Sequence, residues 1–109
     1  MAKILLIETS TTQCSVALAE GGTPVAWKEE RAAQGYVHAE RLMPLVDAVL
    51  QEQGWSRTDL DAVAVSGGPG SFTGLRIGVS TAKGLCQALQ VPLIALDTLA
   101  LLVVFRVVD

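Results

Sequence analysis

The chain has 109 residues, half of them hydrophobic and only 17% charged, with a formal net charge of −3. That length holds one domain with a modest core, and the composition excludes a disordered chain. The scattered lysines and arginines form no basic stripe, which excludes direct gripping of a phosphate backbone by this chain alone. Cys14 and Cys86 stand apart, with no Cys-x-x-Cys, so free thiols are expected in place of a disulfide framework or a structural zinc site. The four apolar residues before Glu8 are too few for a signal peptide, and the longest apolar run, residues 99–105, is far short of the roughly 20 residues of a membrane helix. A cytoplasmic location is expected.

Ile4-Leu5-Leu6-Ile7 is a continuous apolar run of strand length, the pattern of a central strand covered on both faces. It ends in Glu8-Thr9-Ser10-Thr11-Thr12, an acid followed by hydroxyls. Cys14, Val16 and Leu18 then alternate, Gly21-Gly22 marks a hairpin turn, and Val25-Ala26-Trp27 continues a third strand, which predicts an antiparallel meander. Lys28-Glu29-Glu30-Arg31 closes it as a solvated strand end. Over residues 37–53, Ala39, Leu42, Met43, Val46, Val49 and Leu50 recur at helical spacing and Gly54 supplies a stop. Pro44 removes one internal hydrogen bond, so a bend is expected near Glu40. Val37, Leu45 and Ala48 widen the apolar arc beyond what one sheet requires, which predicts a second contact surface on this helix.

After the polar connection 56–61, Ala62-Val63-Ala64-Val65 predicts a fourth strand leading into residues 66–78, where five of the ten glycines fall. Strand, tight loop and helix follow in that order, with Ser71 or Thr73 placed to cap the helix. In that helix Leu75, Val79, Ala82, Cys86 and Leu89 make one apolar stripe, and Gly74, Gly78 and Ala82 repeat a small residue every fourth position, which permits close backbone approach. Arg76, Ser80, Lys83 and Gln87 form a narrow polar stripe, leaving Ile77, Thr81, Leu85 and Ala88 on a third face for another contact. Gln90-Val91-Pro92 breaks the helix, Leu93-Ile94-Ala95-Leu96 predicts a short fifth strand, and Asp97 or Thr98 is placed to cap a last helix from Leu99. The order β-β-β-α-β-α-β-α predicts an α/β fold: a five-stranded mixed sheet with helices on its faces, in the manner of a ribonuclease-H-like lobe. Residues 101–108 switch to β-branched types and stop while still apolar, as though a continuation were lacking.

The loop 66–78 has no Lys-Ser or Lys-Thr at Walker spacing and no strict Gly-x-Gly-x-x-Gly, which rules out a standard phosphate loop. A glycine loop opening a helix suits either anion binding or a simple chain reversal, with Arg76 reinforcing an anion or lying on the solvated stripe. Glu8 and Thr9 at the end of the central strand, with Gly68, Gly70 and Ser71 of the loop, are the candidate nucleotide-binding residues. The alternative is a strand-ending turn with hydroxyl-to-backbone bonds. His38 is the single histidine and has Leu42 one turn later, so no two-histidine metal face exists there, and no Ser-His-Asp set assembles around it. No catalytic residue, metal or cofactor is expected.

The run Gly68-Pro69-Gly70-Ser71-Phe72-Thr73-Gly74-Leu75-Arg76-Ile77-Gly78 resembles the bacterial TsaB family, together with Ile4-Leu5-Leu6-Ile7-Glu8-Thr9-Ser10 and Cys14-Ser15-Val16-Ala17-Leu18. His38-Ala39-Glu40-Arg41-Leu42-Met43-Pro44 and Leu96-Asp97-Thr98-Leu99 extend the match to about residues 3–102. The resemblance implies a relative of the actin, sugar-kinase and Hsp70 ATPases with two ribonuclease-H-like lobes, acting in the synthesis of N6-threonylcarbamoyladenosine in tRNA. It implies a non-catalytic scaffold that binds the catalytic subunit TsaD, is joined by the ATPase TsaE, and meets tRNA only indirectly. The family's pairing surface is built by the helices equivalent to residues 37–53 and 74–89, and on it we expect Arg41, Leu45, Ile77, Thr81 and Leu85; the same surface suits a homodimer. Two departures stand out: Glu8 replaces the usual aspartate, and residues 1–109 match a single N-terminal lobe with the second lobe absent. The rival readings are a nucleotide-binding ATPase or kinase-like lobe using Glu8, Thr9 and the glycine loop, and a metallopeptidase relative, which the single histidine disfavours.

Overall fold

A computed structural model describes residues 1–9, 13–31, 39–68 and 72–97. In chain order these form β1 (Lys3–Glu8), β2 (Gln13–Glu20), β3 (Thr23–Arg31), α1 (Ala39–Gln53), a 3-10 turn (Arg57–Asp59), β4 (Ala62–Ser66), α2 (Phe72–Leu89) and β5 (Leu93–Leu96). The expected elements are present in the expected order. The start of the 37–53 helix, residues 69–71 of the glycine loop and the last helix from Leu99 lie outside the described residues.

The sheet has strand order β3-β2-β1-β4-β5. β1 to β3 form the antiparallel meander, with Leu5 opposite Leu18 and Leu18 opposite Ala26, while β4 and β5 run parallel to β1, with Leu5 beside Val63 and Ala64 beside Ile94. The first hairpin closes through Gly21 and Gly22, both at positive φ (59° and 83°), as a two-residue turn compatible with the strand twist requires. This is the five-stranded mixed sheet predicted from the apolar runs, and β1 is its central strand.

Both helices lie on the same face. Leu5 and Ile7 of β1, Cys14, Val16 and Leu18 of β2, and Val63 and Val65 of β4 meet Leu42, Val46, Val49 and Leu50 of α1 and Ala82, Leu85 and Cys86 of α2 in one buried cluster. The opposite set of the same strands, Leu6, Ala17, Ala19 and Ala64, is also buried, with Ile4, Trp27 and Leu96 packed around it. Two-sided burial explains why β1 and β4 read as unbroken apolar runs without alternation.

Each helix ends in the same backbone device. Gly54 (φ 79°) follows α1, with the Trp55 N–H donating to Leu50 O at 2.9 Å and the Gly54 N–H to Gln51 O at 3.1 Å. Gln90 (φ 59°) takes the equivalent place after α2, where the Val91 N–H donates to Cys86 O at 3.1 Å. Both arrangements satisfy carbonyls that a helix end leaves open. α1 runs unbroken through Pro44, which is exposed and lies within its second turn. The carbonyl that loses its internal donor there is that of Glu40, on an exposed residue.

Candidate functional site: the strand end beneath α2

β1 delivers two adjacent side chains to opposite sides of the sheet. Glu8 follows Leu6 on the face away from the helices; it is 1% exposed and opposite Ser15 on β2, which is also buried. Thr9 follows Ile7 onto the helix face and is fully buried. Its Oγ1 donates a hydrogen bond of 2.6 Å to the carbonyl of Gly74, in the first turn of α2.

That bond places the α2 backbone directly on the end of β1. A Cβ built on Gly78, one turn beyond Gly74, would fall inside van der Waals distance of Thr9 Oγ1 and 3.4 Å from Val65 Cγ2. Ala82, a further turn along, is fully buried. The four-residue spacing of small residues therefore does what the sequence suggests, and the partner it accommodates is Thr9. The small-residue spacing was legible as a close approach; the identity of the neighbour, 65 residues away from Gly74, was not.

The candidate nucleotide-binding residues do not converge within the described part. Thr9 is engaged by α2, and Glu8 sits on the far side of the sheet. Gly68 (φ 122°) stands above Leu75, whose Cδ1 is 3.7 Å from a Cβ built there, while Gly70 and Ser71 lie outside the described residues. His38 lies outside them as well. Among the described residues no group of three His, Cys, Asp or Glu side chains is placed to hold a metal. Cys14 and Cys86 are buried free thiols; burial pushes the Cys14 thiol up from 9.0 to about 11, with the Glu30 carboxylate adding to the rise, and burial raises Cys86 too. Both are held in the protonated, unreactive form at neutral pH.

The residues expected to form a pairing surface divide. Arg41 is exposed and makes a bidentate pair with Glu30, Nε to Oε1 and Nη2 to Oε2 at 2.9 Å each, which ties the start of α1 to β3. The hydrogen bond and charge of Arg41 hold the Glu30 carboxyl below its usual value. Leu45 and Ile77 are half-buried at the margin of the core, and Thr81 is half-buried on α2. Leu85 is a correction: it is 7% exposed and belongs to the core cluster. Eight residues of an α-helix turn about 80° past the starting direction, so Leu85 is rotated away from Ile77 into the core cluster that α1 also lines.

Between the start of α1 and the outer side of α2 lies an open groove of about 390 Å³, lined by Ala39, Thr73, Arg76, Ile77, Ser80 and Thr81. Thr73, Arg76, Ser80 and Ala39 line this surface beside Ile77 and Thr81, whereas the expected set was Arg41, Leu45, Ile77, Thr81 and Leu85. Arg76 and Ser80 belong to the polar stripe, which runs directly beside Ile77 and Thr81.

A family model described as TsaD, tRNA N6-adenosine threonylcarbamoyltransferase, matches residues 30–107. The tRNA threonylcarbamoyladenosine biosynthesis protein TsaB of Escherichia coli is 43% identical over 97 residues, covering 89% of this chain and 41% of that protein. A tRNA N6-adenosine threonylcarbamoyltransferase of Solidesulfovibrio magneticus is 40% identical over 108 residues, covering 85% of this chain and 29% of that protein. Among solved structures, YeaZ from Pseudomonas aeruginosa superposes with a TM-score of 0.80 at 40% identity, covering 89% of this chain and 44% of that one. The chain thus spans about two fifths of the length of the TsaB protein it matches. Sequence motif, sheet topology and superposition agree on the ribonuclease-H-like lobe, and the chain belongs to the family of the TsaD model, standing with its TsaB members over their N-terminal region.

Proposed function

We propose that this chain serves tRNA threonylcarbamoyladenosine synthesis as a non-catalytic accessory subunit that binds a TsaD-like transferase through the outer sides of α1 and α2. The observation that carries the reading is the groove of Ala39, Thr73, Arg76, Ile77, Ser80 and Thr81, together with half-buried Leu45 on α1. Both TsaB proteins and transferases match this chain over most of its length, so a transferase contains a counterpart of the same helix pair. Related surfaces pack against each other in pseudo-twofold fashion, the heteromeric version of an isologous contact. The accessory role is supported by the engagement of Thr9 with Gly74 and by the placement of Glu8 on the opposite face, which leave the strand end without a converging set of phosphate ligands among the described residues. Residues 1–109 act in this reading as one N-terminal lobe, in the cytoplasm, with a TsaE-like ATPase joining the larger assembly and tRNA held by the partner. No described helix is long and apolar enough to cross a membrane.

Co-purification of the tagged chain with a TsaD-like transferase tests the assignment. The wild type is expected to retain the transferase, and Ile77→Glu with Thr81→Arg to lose it while far-UV circular dichroism stays unchanged. Undiminished pairing by the folded double variant overturns the interface. Light scattering of the chain alone shows whether a second copy takes the same surface, and calorimetric titration with Mg-ATP is expected to give no binding heat.

A further inference from the structure

We propose that Thr9 and Gly78 form a seat that fixes how high and in what register α2 rides on the sheet, so that Thr9 is a positioning residue for the partner-binding side of that helix. The proposal rests on the accessory-subunit reading for its functional consequence, and on packing alone for the seat itself. Thr9 is fully buried, so its hydroxyl has no room to swing aside, and that hydroxyl is held by the Gly74 carbonyl at 2.6 Å. Gly78 presents bare backbone to it. An added Cβ would collide with Thr9 Oγ1 and lie 3.4 Å from Val65 Cγ2 and 3.5 Å from Thr9 Cβ. To restore ordinary contact the helix must lift by roughly 1 Å, because close-packed interiors have little slack to absorb the overlap.

Ile77 is the chain neighbour of Gly78, and Thr81 lies one turn from Ile77 on the same side, so any lift of the backbone at Gly78 is transmitted to the groove they line. Helix propensity argues in the same direction. Glycine inside a helix is intrinsically less favourable than alanine, so its presence at Gly78 reflects the contact and not the helix. Gly84 supplies an internal control: it lies in the same helix, is exposed, and a Cβ built there meets nothing within 4 Å.

Four variants decide the matter: Gly78→Ala, Thr9→Ala, the two combined, and Gly84→Ala. Each is measured for affinity to a TsaD-like transferase by calorimetry and for the backbone amide NMR shifts of Ile77 and Thr81 in the free chain. Gly78→Ala is expected to weaken pairing roughly tenfold and to move both amides. The combined variant, which removes Oγ1, is expected to recover affinity to within about threefold of Thr9→Ala alone and to return the amides toward their original positions. Gly84→Ala is expected to change neither. The seat is overturned if Gly78→Ala leaves the amides of Ile77 and Thr81 in place, or if removing the Thr9 hydroxyl rescues nothing. A wild-type chain that fails to pair overturns the accessory reading instead, and the amide shifts then decide the seat by themselves.

Discussion

α1 and α2 lie side by side on one face of the sheet, yet they are attached to it by different physics. α1 stands over β2 and β3 on long side chains: Leu42, Val46, Val49 and Leu50 fill the space beneath it, all 2% exposed or less. Its margins carry ion pairs of half-exposed groups, Arg41 with Glu30, Glu52 with Lys28 at 2.7 Å and Asp47 with Arg57 at 2.7 Å. Pairs of that kind contribute little each and mainly select an orientation. α2 instead rests on β4 and the end of β1 through Gly74, Gly78 and Ala82, with backbone and hydroxyl in direct contact. A helix carried on side chains yields to small rearrangements; one seated on backbone has a single height. α2, the helix seated in this way, lines most of the groove, with Ala39 of α1 opposite.

This contrast predicts opposite sensitivities to side-chain size. Under α1 the damaging change is a deletion. Leu42→Ala, at a fully buried site, is expected to lower stability by about 2–5 kcal/mol in urea denaturation, the range for a cavity beneath a helix. A loss of well under 1 kcal/mol would mean that α1 collapses onto the sheet as freely as a surface element.

Cys14 on β2, in the strand that α1 covers, gives the same packing a pH signature. Its folded-state pKa of about 11 exceeds the ordinary 9.0, so the folded chain holds a proton that the unfolded chain releases. The associated stability is complete below pH 9 and is lost as pH rises through about 11. At about 1.4 kcal/mol per pKa unit, the loss is at most about 2–3 kcal/mol. Comparing the wild type with Cys14→Ala by denaturation between pH 8 and roughly 11 isolates it, since the alanine variant lacks the titrating group. Parallel pH profiles would contradict the enclosure of Cys14.

Under α2 the damaging change is an addition. Ala82→Leu is expected to cost about 1–3 kcal/mol by thermal or urea denaturation, because the backbone seat leaves no room for a longer side chain. A neutral result there would erase the difference between the two helices. Were Leu42→Ala also mild, both helices would have to be regarded as loosely held.

Periodicity and punctuation carried most of the architecture. The apolar run of β1, the alternation of β2, the Gly21-Gly22 turn and the Gly54 stop are local consequences of backbone geometry, and each reads correctly from a few neighbouring residues. The glycine motif was specific enough to identify the family, which the comparisons bear out. The candidate site was less legible. Glu8 and Thr9 stood together as neighbours in sequence and separate onto opposite faces of the sheet, because successive residues of a strand alternate. Leu85 shares a helical flank with Ile77 and Thr81 on paper, but it joins the core cluster that α1 also lines.

By itself the sequence determined which elements form, in what order, and that α2 must approach some neighbour closely. Only the tertiary structure decided that the neighbour is Thr9, that its hydroxyl is committed to Gly74, and that Ile77 and Thr81 line a groove with Ala39. The physical reason is range: helix and strand periods are set by bonds between adjacent residues, whereas the height of a helix on a sheet is set by contacts between atoms that the chain brings together only on folding.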